Sequence, residues 1–243
     1  MSRVLAGIHA VREALRAKRP LDRVLITKGA SSPRLQEIIE LCREQSIPLR
    51  FEPRETLDRA SNGVPHQNVV ALSAAHSYSE LEDLLGAAEM LVILDGVEDP
   101  HNLGAIIRTA HAAGASAVVV PERRSASLTQ TVERVAAGAL AHLPVARVGN
   151  VSQALETLKK AGFWIYGLDE RGSEIYEQVD YGSPAAIVLG GEGKGLHQNV
   201  RRHCDLLVRI PMAGAVSSLN VSVAAGIVLF DWRRKRGWRE LNR

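Results

Sequence analysis

Ala185-Ala186-Ile187-Val188-Leu189 is a short apolar run that empties into Gly190-Gly191-Glu192-Gly193-Lys194-Gly195-Leu196. A run of this length, bounded by glycine, reads as a buried strand. A second run, Leu206-Leu207-Val208-Arg209-Ile210, ends in Pro211-Met212. Then Ser217-Ser218-Leu219-Asn220-Val221-Ser222-Val223-Ala224 opens a long apolar helix. Two strand ends thus deliver glycine- and serine-rich turns to one edge of a sheet. In an open α/β sheet that edge is where ligands bind. Turns without bulky side chains leave backbone N–H and C=O groups free to hold a small molecule.

Working outward, apolar strand runs recur at 90–94, 116–120, 144–148, 163–167, 186–189 and 206–210. Helical patterns fill the gaps near 102–113, 129–140, 151–161 and 196–203, and one follows at 218–236. This alternation predicts an α/β fold with a parallel sheet covered on both faces. Residues 1–73 read as three helix-to-strand units, with strands at 23–26, 48–51 and 68–72. Residues 74–88 are rich in Ala, Ser and Glu with weak helical character, and we assign the linker there. The expected domains are therefore 1–73 and 89–243.

Composition narrows the class. Of the 243 residues, 46% are apolar, enough for a full core. No apolar run is long enough to span a bilayer, and no apolar stretch follows the N-terminal basic residue as a signal peptide would require. Cys42 and Cys204 lie far apart, and the histidines show no metal spacing, so a reduced cytoplasmic protein without a metal is expected. A net charge of +3 and a pI near 9.0 permit an anionic partner without demanding one.

Three blocks can carry chemistry. The first is Asp99-Pro100-His101-Asn102-Leu103-Gly104-Ala105 with Arg108. Asn102 is placed to cap the following helix and Gly114 to end it. Arg108 stands out on a helix otherwise made of small and apolar residues, although a solvent-facing arginine would look the same. The second is the 190–196 turn. It lacks the Gly-Lys-Ser/Thr of a P-loop, because Gly195 follows Lys194, and its glycines miss the dinucleotide spacing. Glu192 is a carboxylate among glycines, which favours binding over a plain turn. The third is 210–222, where Ser218 and Asn220 are both good N-caps. One suffices for capping, so the other is free for a ligand. The small residues Ala224-Ala225-Gly226 permit either internal helix packing or a subunit interface.

These blocks, in this order, resemble the SpoU/TrmH family of RNA ribose 2′-O-methyltransferases, part of the SPOUT class. Gly7-Ile8-His9-Ala10-Val11 and Gly63-Val64-Pro65-His66-Gln67 extend the likeness to the N-terminal segment. The resemblance is greatest to members that methylate a guanosine ribose in the peptidyl-transferase region of 23S rRNA. It implies a C-terminal α/β domain with a trefoil knot and a smaller L30e/L7Ae-like α/β/α domain that binds RNA. It implies S-adenosylmethionine as cofactor, held by Leu189, Gly190, Gly191, Glu192, Gly193, Ile210, Met212, Ser218 and Leu219. It also implies a catalytic set of Asn102, Arg108, Glu192, Ser218 and Asn220, RNA contacts at His9, His66 and Gln67, and a homodimer whose site borrows from the partner subunit. Arginine is normally locked in its protonated form, so Arg108 is expected to bind and orient the acceptor. Within the enzyme class a tRNA or another rRNA ribose is the alternative target; outside it, a non-catalytic RNA-binding factor of the same fold and a nucleotide-dependent oxidoreductase are, in that order, the rivals. The intact polar set argues against the first, and the failed glycine spacings against the second.

Overall fold

The structure, a computed structural model, describes residues 4–73, 78–191, 193, 195–215 and 218–238. The chain divides into two compact units, 1–77 with 127–130, and 78–126 with 131–243.

In the smaller unit the order is β1 (Val4–Ala6), α1 (Ile8–Arg16), β2 (Leu21–Thr27), α2 (Pro33–Glu44), β3 (Leu49–Glu52), α3 (Arg54–Ala60) and β4 (Val69–Ser73). The sheet runs β1-β4-β2-β3, with β4 antiparallel to β1 and β2 and only β2–β3 parallel. Alternate strand residues point to opposite faces. Val24, Ile26, Val69 and Ala71 therefore pack under Leu15 of α1 and Ile38 of α2, while Leu25 and Val70 meet Leu57 of α3. The result is a sheet between helices. Strand β1, too short to show a period, was not legible in the sequence.

The larger unit holds β5 (Met90–Asp95), α4 (Pro100–Ala113), β6 (Ala117–Pro121), α5 (Gln130–Ala136), β7 (Val145–Val148), α6 (Val151–Lys160), β8 (Trp164–Leu168), β9 (Glu174–Ile175), β10 (Ala185–Gly190), α7 (Gln198–His203), β11 (Leu206–Arg209) and α8 (Val221–Arg236). All strands are parallel, in the order β7-β6-β5-β10-β8-β11-β9. Leu91, Ile93, Ala186 and Val188 face α6 and α7 through Leu155, Leu158 and Val200. Their neighbours Val92, Leu94, Ile187 and Leu189 are equally buried, on the side where α8 packs against β10 and α4. Burial on both faces explains why these strands read as continuous apolar runs.

The described part of the expected linker belongs to this unit. Ser79 bridges to Ala146, and Leu81 and Ala88 are buried in its core. Residues 74–77 lie outside the described residues.

Candidate active site

Strand β10 ends at Gly190, paired with Asp95 of β5, and the chain then doubles back so that Gly191 and Gly195 form an antiparallel bridge. A Cβ on Gly190 would overlap the backbone of Gly195, and one on Gly191 would overlap the carbonyl of Gly96. Glycine is thus required here by close backbone approach.

The turn forms one wall of a cavity of about 620 Å³ at the C-terminal ends of β8, β10 and β11. That volume suits a cofactor-sized molecule. Leu189, Gly190, Gly191, Gly193, Ile210, Met212, Ser218 and Leu219 all line it, as does Asn220. Glu192, expected on the same wall, lies outside the described residues. The cavity also takes in Leu168, Asp169, Glu170, Arg171 and Arg201, which sequence reasoning missed. Asp169 directly follows β8 on the ligand-binding edge, so the edge rule could have found it. Its carboxylate is buried, accepts the Arg171 N–H at 3.0 Å and pairs with Arg201 Nε at 3.0 Å. This pairing fixes the 168–171 rim.

The division of labour between Ser218 and Asn220 is decided by capping. Asn220 is the N-cap of α8, its Oδ1 accepting from Ser222 N–H at 2.9 Å and from Ser222 Oγ–H at 2.6 Å. With Oδ1 so engaged, its amide Nδ2 donates to Asn102 Oδ1 at 3.0 Å. Ser218 is left exposed at the cavity. Asn102 is not the cap of α4. Asp99 is, accepting from His101 N–H at 3.0 Å, with Pro100 at the first helical position. Asn102 therefore sits one turn in, 6% exposed, where it meets Asn220.

Arg108 is not brought to these groups. Six residues past Asn102, it is turned by about 240° and raised by about 9 Å along the helix. It is exposed, lines neither this cavity nor the smaller one that adjoins it, and has no hydrogen-bond or ion-pair partner among the described residues. Nor do Ala224 and Ala225 form a surface. Ala225 is 0% exposed, packed inward, and Gly226 approaches Thr109 of α4. The exposed stripe of α8 instead carries Val223 and Phe230, 51% and 39% exposed, with the Trp238 ring 5.9 Å from that of Phe230.

In the smaller unit, the expected RNA contacts separate. His9 is exposed on α1. His66 is 4% exposed, its Nδ1 accepting from Asn68 N–H at 3.1 Å and its Nε2 lying 2.9 Å from Asp58 Oδ1. Both ring nitrogens are used, so the ring is a structural tie and is not free to read a base. Gln67 Oε1 accepts the Ile8 N–H at 3.1 Å, capping the otherwise uncapped start of α1. Arg12 and Arg16 pair with Glu37, and Arg23 with Asp22. Lys18, Arg19, Lys28 and Arg34 are exposed and unpaired among the described residues.

Both thiols are pushed up to about 12 by burial, which holds Cys42 and Cys204 in the inert thiol form. Among the described residues no group of His, Cys, Asp and Glu is arranged to hold a metal, and no helix is long and apolar enough to cross a membrane.

A parallel α/β domain with a glycine-walled cavity at its strand ends, joined in one chain to a small α/β/α unit, fits the SPOUT class of methyltransferases. The chain belongs to the SpoU rRNA methylase family, whose profile matches residues 89–230, and residues 4–79 match the RNA 2′-O ribose methyltransferase substrate-binding family. Among its relatives is YacO of Bacillus subtilis, whose name places it among TrmH family tRNA/rRNA methyltransferases. The two are 44% identical, over 95% of this chain and 94% of YacO. Among solved structures, the AdoMet-bound rRNA methyltransferase of Sinorhizobium meliloti is similar at a TM-score of 0.62 and 28% identity, covering 96% of this chain and 87% of that one. The SpoU methyltransferase AviRb of Streptomyces viridochromogenes, in complex with AdoMet, is similar at 0.61 and 27%, covering 97% and 90%.

Proposed function

We propose that this protein transfers the methyl group of S-adenosylmethionine to a ribose 2′-oxygen of ribosomal RNA, the target being a guanosine in the peptidyl-transferase region of 23S rRNA. One observation carries the reading. Asn102 of the first block meets Asn220 of the third through a hydrogen bond, and Asn220 lines the cavity that the glycine turn of the second block walls.

The residues fit the cofactor. Leu168, Leu189, Ile210 and Leu219 supply apolar walls, the Gly190–Gly191 backbone supplies close polar approach, and Asp169 and Glu170 supply acceptors. When bound, S-adenosylmethionine would supply an activated sulfonium methyl for transfer to the 2′-oxygen. The chain's own work is orientation. Asn220, fixed at both ends of its amide, holds Asn102 and the start of α8 in register with the cavity. Placing acceptor against donor in this way is worth a large rate factor.

Arg108 acts in the partner's site. It projects from the exposed face of α4, and α4 packs on α8, whose exposed stripe of Val223 and Phe230 is the apolar surface a second copy would cover. A homodimer through this face brings Arg108 to the acceptor, where it binds a phosphate or the 2′-oxygen. The smaller unit reads RNA through Lys18, Arg19, Lys28, Arg34 and His9. All of this takes place in the cytoplasm, on a ribosomal precursor.

Transfer of tritiated methyl to a 23S rRNA transcript, followed by digestion to nucleosides, tests the reading. Label is expected in 2′-O-methylguanosine. Label in a base, or none in RNA, would overturn it.

A further inference from the structure

Beside the large cavity lies a second one of about 440 Å³, and the two share Gly191 and Gly195. Its lining includes Asp95, Glu98, Asp99, Asn102, Arg124 and His197. Asp95 ends β5 with its carboxylate buried. Oδ2 accepts the His197 backbone N–H at 2.8 Å, and Oδ1 lies 2.9 Å from the His197 ring at Nδ1. A carboxylate at Nδ1 makes that nitrogen the donor and leaves Nε2 its lone pair. Nε2 accepts from Arg124 Nη1 at 3.2 Å. Arg124 itself has φ +57, in the left-handed region that a non-glycine residue seldom occupies. A buried carboxylate thus fixes the imidazole ring, which in turn aims an arginine into a cavity. Nothing in the methyl-transfer scheme above uses these three residues.

Charge decides what this cavity can take. Three carboxylates, Asp95, Glu98 and Asp99, face one guanidinium. A phosphate is therefore disfavoured, and a neutral group rich in N–H donors is favoured. Among the described residues Glu98 has no hydrogen-bond or ion-pair partner, so its oxygens are open to such donors. Arg124 retains donors beyond the one given to His197. Of the four RNA bases, guanine presents two adjacent N–H donors at N1 and N2, with the acceptors O6 and N7 beyond them. A carboxylate matches the first pair and an arginine the second. Adenine and cytosine each bring one amino group, and uracil a single N–H between two carbonyls.

We propose that the second cavity receives the base of the nucleotide being methylated and selects guanine, with Glu98 and Arg124 as specificity-determining residues. His197, held by Asp95, is a positioning residue for Arg124. The inference rests on the RNA methyl-transfer reading, and its test uses binding alone, so the two can fail separately. Full-length protein saturated with S-adenosylhomocysteine is dialysed to equilibrium against labelled GMP, AMP, CMP or UMP. The phosphate is common to all four and cancels. GMP is expected to bind about tenfold or more tightly than the others, the worth of one good base contact. Glu98→Gln and Arg124→Gln should each remove that preference while leaving cofactor affinity within about twofold. His197→Ala should do the same, and His197→Gln, which can donate to Asp95 and accept from Arg124, should restore it. Four nucleotides bound alike, no saturable GMP binding at millimolar concentration, or a preference untouched by Glu98→Gln would overturn the proposal. A failed methyl transfer with GMP selectivity intact would instead count against the reaction and leave the pocket standing.

Discussion

Asn220 performs two structural tasks at once, and two substitutions separate them. Its Oδ1 caps α8 through the Ser222 N–H at 2.9 Å, and its Nδ2 donates to Asn102 at 3.0 Å. Asn220→Ala removes both. A lost N-cap costs about 1 kcal/mol. Asn102, 6% exposed, loses one donor, at a further cost of about 1 kcal/mol. The sum, about 2 kcal/mol, should lower the Tm of the larger unit by about 4–8 °C. Asn220→Ser keeps a capping oxygen but is too short to reach Asn102, so its loss should be about 1 kcal/mol and about 2–4 °C. Thermal melts followed by far-UV circular dichroism compare the two variants with the parent. Equal Tm values for Ala and Ser would refute the capping role. A serine variant as stable as the parent would refute the contribution of the Asn102 arm.

Other outcomes follow from the same geometry. Gly191→Ala places a Cβ against the Gly96 carbonyl, so the turn must open, and calorimetric titration should show S-adenosylmethionine affinity reduced by more than about tenfold, or about 1.4 kcal/mol. Arg108→Ala should leave that affinity within about twofold yet lower turnover by more than about tenfold, because the side chain lines neither cavity of its own chain. Phe230→Glu, on the exposed stripe of α8, should shift sedimentation toward the monomer and reduce activity with it, whereas a bulky residue at the buried Ala225 should lower Tm first. With both thiols pushed up to about 12, neither Cys42 nor Cys204 should react with a thiol reagent at neutral pH until denaturant is added, when both should titrate.

Much of the architecture was already determined by local order along the chain. Buried strands such as Ala185–Gly190 are apolar throughout because helices cover both of their faces, and that makes them visible without a partner. The glycine turn and the Ser218–Asn220 start of α8 were legible for a similar reason. Backbone conformation and capping are set by neighbours a few residues away. The boundaries erred where two local signals compete. Asp99 and Asn102 are both good caps, and only the helix itself shows that Pro100 takes the first position and leaves Asn102 buried.

Tertiary structure alone decided which polar groups meet. Asn220 reaches Asn102 across 118 positions of sequence, and Arg124 reaches His197 across 73, distances over which no pattern in the chain carries information. The same holds for rejection. His66 and Gln67 have the composition of base-reading residues, yet folding commits the first to Asp58 and Asn68 and the second to the start of α1. Arg108 belongs with Asn102 in the sequence block but is turned away from it by the pitch of an α-helix. Sequence records which donors and acceptors exist. Only the packing of the sheet and its helices assigns each of them a partner, and so determines which remain free for a ligand.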